Sequence, residues 1–166
     1  MVELSIELKQ TIDHWIGKFP IEQKRSAVVA ALLAAQEENN GWLSEPIMDA
    51  VAEYLELSKI EVYEVATFYD MFELEPIGKY KIGLCTNVSC KLRGSDDIEA
   101  ALFDRLGVRL GETTDDNLFT LRETECLGAC ANAPMCQVNT KAFHEDLTVE
   151  SMMAMIDRFE QEAANE

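Results

Sequence analysis

Residues 79–94 read KYKIGLCTNVSCKLRG. Tyr80, Ile82 and Leu84 alternate with Lys79, Lys81 and Gly83, the period of a half-buried strand. Two cysteines, Cys85 and Cys90, follow at once. On one continuous helix, five positions at about 100° each would set them roughly 140° apart, nearly on opposite faces. They converge only if TNVS between them loops. Asn87 and Ser89 suit a loop, because their side chains compete for backbone hydrogen bonds.

Outward from that stretch the chain alternates between element types. SDDIEAALFDRLG (95–107) reads as a helix capped by Ser95 and ended by Gly107. NLFTLRETEC (117–126) and MCQVN (135–139) read as strands, and TVESMMAMIDRFEQEA (148–163) as a last helix capped by Thr148. Met152, Met153 and Met155 on it suit core filling. The order strand, helix, strand, strand, helix describes a small α/β sandwich with helices on a short sheet.

Before residue 76 the pattern is helix after helix. Leu8, Ile12, Trp15, Ile16 and Phe19 recur at helical spacing, and Pro20 closes the segment. EQKRSAVVAALLAAQEENNG (22–41) is expected as one helix stopped by Gly41. SEPIMDAVAEYLEL (44–57) starts at Ser44 with Pro46 in its first turn, and SKIEVYEVATFY (58–69) opens on a capping box from Ser58 to Glu61. Pro76 and Gly78 mark the change of character. The expectation is an α+β protein, with an N-terminal helical bundle over residues 1–75 and an α/β domain over residues 76–166.

Fourteen Lys and Arg stand against 31 Asp and Glu in 166 residues, a formal charge of −17. Such a surface repels phosphate backbones, which argues against a nucleic-acid partner and for a basic protein face. No run of eighteen apolar residues occurs, so direct membrane insertion is not expected. MVELSIELKQ has neither the basic and apolar regions of a signal peptide nor the Arg-rich character of a transit peptide. The expected location is therefore cytoplasmic, where thiols stay reduced. All five cysteines lie between positions 85 and 136, a clustering that favours metal or redox work over a disulfide framework.

Cys126 and Cys130 in CLGAC make a second pair, with Gly128 between them arguing for a loop of unusual dihedrals. Two loops at strand ends, each presenting two sulfurs, make a four-thiolate site. Tetrathiolate sites suit zinc or an iron–sulfur cluster. Gaps of four and three residues spread wider than the commonest zinc knuckle, which favours a [2Fe–2S] cluster while leaving zinc and a thiol–disulfide role open. Cys136, in the apolar APMCQVN, reads as a small buried hydrophobe. His14 and His144 are far apart in sequence and read as surface or packing residues. No two glycines form GxG, so neither a dinucleotide fingerprint nor a P-loop is present.

With those residues in place, the chain resembles the small [2Fe–2S] subunit of the NADH-oxidising module of respiratory complex I, the NuoE-type family. CTNVSCKLRG and ECLGACANAP (125–134) resemble its two cluster loops, and VYEVATFYDMF (62–72) with GWLS (41–44) resembles its helical N-terminal part. The resemblance implies a thioredoxin-like ferredoxin domain after the helices. It implies one [2Fe–2S] cluster on Cys85, Cys90, Cys126 and Cys130, with Cys136 not a ligand. Pro134, just before a strand, would occupy the place where thioredoxin-like folds often put a cis proline. FMN and NADH are expected on a partner subunit only, with the iron–sulfur subunits of the complex beyond it. The chain would be an electron-transfer part of an NADH:quinone oxidoreductase with no complete active site of its own, peripheral to the inner membrane through the complex. Similar subunits serve NAD-linked hydrogenases and formate dehydrogenases, and a zinc-stabilised binding module is the alternative from a different class.

Overall fold

The computed structural model describes residues 2–165, so the first and last residues of the two expected regions lie outside it. The chain divides into two compact units, Met1–Pro76 and Ile77–Glu166. Each has its own apolar core.

The first unit is helical. Helix α1 (Ile6–Ile16) starts where the Ser5 hydroxyl accepts the Leu8 N–H at 3.0 Å, and it buries Leu8 and Ile12 along one face. The expected helix over 22–41 is split. Ile21–Ala27 forms 3-10 turns kinked at Gln23, and only Ala27 of its residues is buried, so no apolar stripe holds it as a continuous α-helix. Helix α2 (Val28–Glu38) then buries Val28, Ala31, Leu32 and Ala35. Past its end, Gly41 takes φ +89° and returns its N–H to the Gln36 carbonyl at 2.7 Å. Helix α3 (Glu45–Leu55) follows Ser44, which caps by position without a side-chain bond, and α4 (Lys59–Phe68) opens on the expected Ser58–Glu61 capping box. Gln36 is the polar pin of this core. Its amide donates to the Met71 carbonyl at 3.1 Å and accepts the Glu73 N–H at 2.7 Å, so a buried side chain is satisfied while it ties 71–73 to α2.

The second unit is a four-stranded sheet with helices. Strand β1 (Tyr80–Cys85) lies between β2 (Phe119–Thr124), to which it is parallel, and β3 (Cys136–Val138), to which it is antiparallel. Strand β4 (Ala142–His144) pairs with β3 at the edge, giving the order β2-β1-β3-β4. Parallel neighbours need a crossover, which α5 (Val88–Leu92) and α6 (Ser95–Leu106) supply. Tyr80, Ile82 and Leu84 of β1 share one core with Ile98 and Leu102 of α6. Met152 and Ile156 of α7 (Val149–Ala164) complete it, so the methionines do serve as core.

Three sequence expectations change here. All six residues of β1 are buried, so it is covered on both faces rather than half-buried. Ser95 is the first residue of α6 and not its cap; Gly94, at φ +100°, turns the corner from α5, and the buried Ser95 hydroxyl has no hydrogen-bond partner among the described residues. Strand β4 is an added element, too short to show a period of two. Among the described residues no helix is long and apolar enough to cross a membrane.

Candidate metal centre

Cys85 ends β1, opposite Thr124 in the register. Its N–H donates to the Met135 carbonyl at 3.1 Å and its thiol to the Glu125 carbonyl at 3.7 Å. Thr86 continues the ladder by one step, N–H to the Thr124 carbonyl at 3.0 Å, and its hydroxyl donates to Glu123 Oε1 at 2.8 Å. Asn87 then caps α5, its side-chain oxygen accepting the Val88 N–H at 2.8 Å. The TNVS loop is therefore only two residues long, because Val88 and Ser89 already belong to α5. The helical angle that would separate the cysteines never applies, since the break falls at the strand–helix junction. Cys85 and Cys90 do meet, in one small buried cluster.

The second pair stands on an irregular turn after β2. Gly128 at φ +81° occupies a conformation that side chains rarely adopt. That geometry aims its N–H at Cys126 Sγ, 3.4 Å away, and brings the Cys126 and Cys130 sulfurs to 3.8 Å. Cys130 opens a 3-10 turn, Cys130–Asn132, and the Ala133–Pro134 bond that follows is cis, as the resemblance implied. Cys85, Cys90, Ala133 and Met135 form a small buried cluster of their own, with Leu127 and Ala129 packed against it.

The two pairs differ in surroundings. Cys85 and Cys90 are buried, whereas Cys126 and Cys130 are exposed, and all are free thiols. Burial, then the hydrogen bond with Cys85, push the Cys90 thiol up to about 11, with a backbone hydrogen bond from Met135 opposing them. Charge on Cys85 and Cys130 adds to the rise. A cation bound by these sulfurs would reverse that sign, because a coordinating thiol is deprotonated outright. Among the described residues, no three His, Cys, Asp or Glu side chains converge as they would on one metal ion.

The remaining candidates stand apart. Cys136 is fully buried in β3, and burial alone pushes its thiol up to about 12, as expected of an inert core residue. His14 is exposed on α1 and lies edge-on to Trp15. His144 is half-buried on β4, and burial together with the Arg158 charge lowers its pKa. Sequence reasoning passed over Met135 and Arg93, which shape this centre through contacts distant in the chain. Arg93, three residues after Cys90, donates to the Ala131 carbonyl at 2.9 Å.

The profile of the thioredoxin-like [2Fe–2S] ferredoxins matches residues 12–160, nearly the whole chain and both cysteine pairs. The chain belongs to that family. The chain is 49% identical over 150 residues to an NADH-quinone oxidoreductase subunit from Rickettsia felis, covering 90% of this chain and 89% of the relative. It is 50% identical over 145 residues to the identically named protein from Rickettsia conorii, covering 87% and 86%. Among solved structures, a chain of an NAD+-reducing [NiFe]-hydrogenase in the air-oxidized state superposes with a TM-score of 0.69 at 22% identity. That match covers 79% of this chain and 23% of the other, and it bears on the fold alone. The chain's donor set suits the group its family is named for. It offers soft sulfur donors in two pairs, an apolar shield around one pair, and a glycine N–H already directed at a sulfur of the other.

Proposed function

We propose that this chain is the [2Fe–2S] electron-transfer subunit of an NADH:quinone oxidoreductase, with Cys85, Cys90, Cys126 and Cys130 holding one cluster. Residues 76–166 are then the cluster domain and residues 1–75 a helical region preceding it. The observation that carries the reading is the pairing of the four thiols. Cys85 and Cys90 lie in one buried cluster with Ala133 and Met135, against which Leu127 and Ala129 of the second cysteine turn pack, and the Cys126 and Cys130 sulfurs stand 3.8 Å apart. The match to a family of [2Fe–2S] proteins over residues 12–160, both cysteine pairs included, supports a cluster over a zinc site. Relatives near 50% identity that are named as subunits of NADH-quinone oxidoreductase support this assembly over the hydrogenase-linked one.

When bound, the cluster supplies one-electron exchange. The chain's own residues do the rest. Cys85 and Cys90 hold sulfurs against an apolar wall of Ala133 and Met135 that excludes water. The Gly128 N–H donates to Cys126 Sγ and stabilises negative charge there. Cys126 and Cys130 remain on the exposed side, open to an electron-transfer partner. That partner carries FMN and NADH, and the chain itself has no complete active site; a flavin accepts two electrons as hydride and can release them singly, so a neighbouring one-electron carrier completes the pair. The location is peripheral to the membrane, through the complex. Purifying the tagged chain from its native host tests the assembly. A copurifying FMN-binding protein with NADH-oxidising activity, together with membrane-embedded subunits, is expected; a hydrogenase or formate dehydrogenase catalytic subunit in their place would contradict the assignment.

A further inference from the structure

The two cysteine pairs come from segments distant in the chain, and one residue is bonded to both. Arg93 caps α5, its N–H donating to the carbonyl of Cys90 at 3.1 Å. Its Nη1 donates to the carbonyl of Ala131, the residue after Cys130, at 2.9 Å. Nη2 of the same guanidinium lies 3.8 Å from Asp146 Oδ1. The Asp146 N–H in turn donates to the Asn132 carbonyl at 2.7 Å, and the Asn132 amide donates to Glu145. The turn carrying Cys130 is thus held from one side by Arg93 and from the other by residues 145–146. Its flanks are fixed by the ladder, through Thr86 to Thr124 and Cys85 to Met135. Between those flanks, residues 126–132 form no strand, include Gly128 at φ +81°, and expose both sulfurs.

We propose that Arg93 is a positioning residue, a clasp that fixes the second cysteine turn against α5 so that both pairs hold their places around a bound cluster. The inference rests on the four-cysteine ligand set proposed above. Its energetic weight lies in the Ala131 bond. A hydrogen bond from a guanidinium is charge-assisted and stronger than a neutral one, while the long, exposed pairing with Asp146 is worth little by itself. The Arg93 side chain is 51% exposed, so shortening it leaves no hole in either core. Lysine at this position keeps the charge but not the fork, and reaches the carbonyl or the carboxylate rather than both.

The test uses the full chain, purified without oxygen, as wild type, Arg93→Ala and Arg93→Lys. Two rates are read: release of iron to a ferrous chelator, and amide hydrogen exchange across residues 126–132, with exchange in α7 reporting on the fold. Arg93→Ala is expected to release iron about tenfold faster and to exchange faster across 126–132, with α7 unchanged, the size following from loss of one charge-assisted bond. Arg93→Lys is expected to fall between the two, and the EPR line shape of the reduced cluster should broaden in the Ala variant. Equal release and equal exchange in wild type and Arg93→Ala would overturn the clasp. A wild-type chain carrying zinc and no sulfide would instead overturn the cluster, and the exchange across 126–132 would still decide the clasp.

Discussion

Cys90 and Cys126 meet opposite surroundings: one thiol is walled by Ala133 and Met135, the other stands exposed on a glycine turn. On the four-cysteine ligand set proposed above, the contrast divides their work, the buried pair anchoring and shielding, the open pair facing outward. Replacing Cys126 or Cys130 by Ala should therefore abolish bound iron and sulfide, although neither side chain contributes to a core. Replacing Cys136 by Ala should leave both in place and cost about 1 kcal/mol of stability, the effect of trimming one small buried group. Iron and sulfide assays with a denaturant titration check the set, and loss of iron from the Cys136 variant would contradict the inert role given to that residue. The cysteines were legible in the sequence because four of the chain's five cysteines fall in two close pairs, which is a chemical signal. Arg93 was not legible. Its partner is 38 positions away and is a backbone carbonyl, which no residue type announces.

At the scale of elements, strand β1 places the centre, and Gly78 places β1. A Cβ on Gly78 would lie 2.8 Å from the Phe119 carbonyl carbon and 2.9 Å from that of Leu118, both backbone atoms that cannot swing aside. The Gly78 N–H also donates to Thr120 Oγ1 at 2.6 Å. Gly78→Ala should destabilise the chain by about 1–3 kcal/mol, the usual cost of forcing atoms into a packed site. Because the start of β1 would be pushed off β2, faster hydrogen exchange along β1 should accompany the loss; an unchanged denaturation midpoint would contradict this. Elements with a long period or a strong cap could be read from residues alone: β1, α4 with its Ser58–Glu61 box, and α7 capped by Thr148. The five-residue α5 and three-residue β4 could not, since neither is long enough to complete a pattern. The double burial of β1 was hidden for a different reason. Lys81 and Gly83 look like a solvent face in sequence, and only the fold covers them.

For the whole molecule, the ligand geometry and the charge act together. A chain of formal charge −17 makes each added electron costlier, which lowers the potential of any cluster it holds, while N–H donors such as that of Gly128 act in the opposite sense. The same charge favours docking to a basic face on the partner, and association should weaken as salt rises. All of this depends on what the four thiols hold. The most direct measurement is the iron, acid-labile sulfide and zinc content of the anaerobically purified chain, read beside its EPR spectrum after reduction. The account predicts about two irons and about two sulfides per chain, with a signal from one reduced [2Fe–2S] cluster that disappears in Cys130→Ala. A colourless chain carrying one zinc, no sulfide and no signal would contradict it.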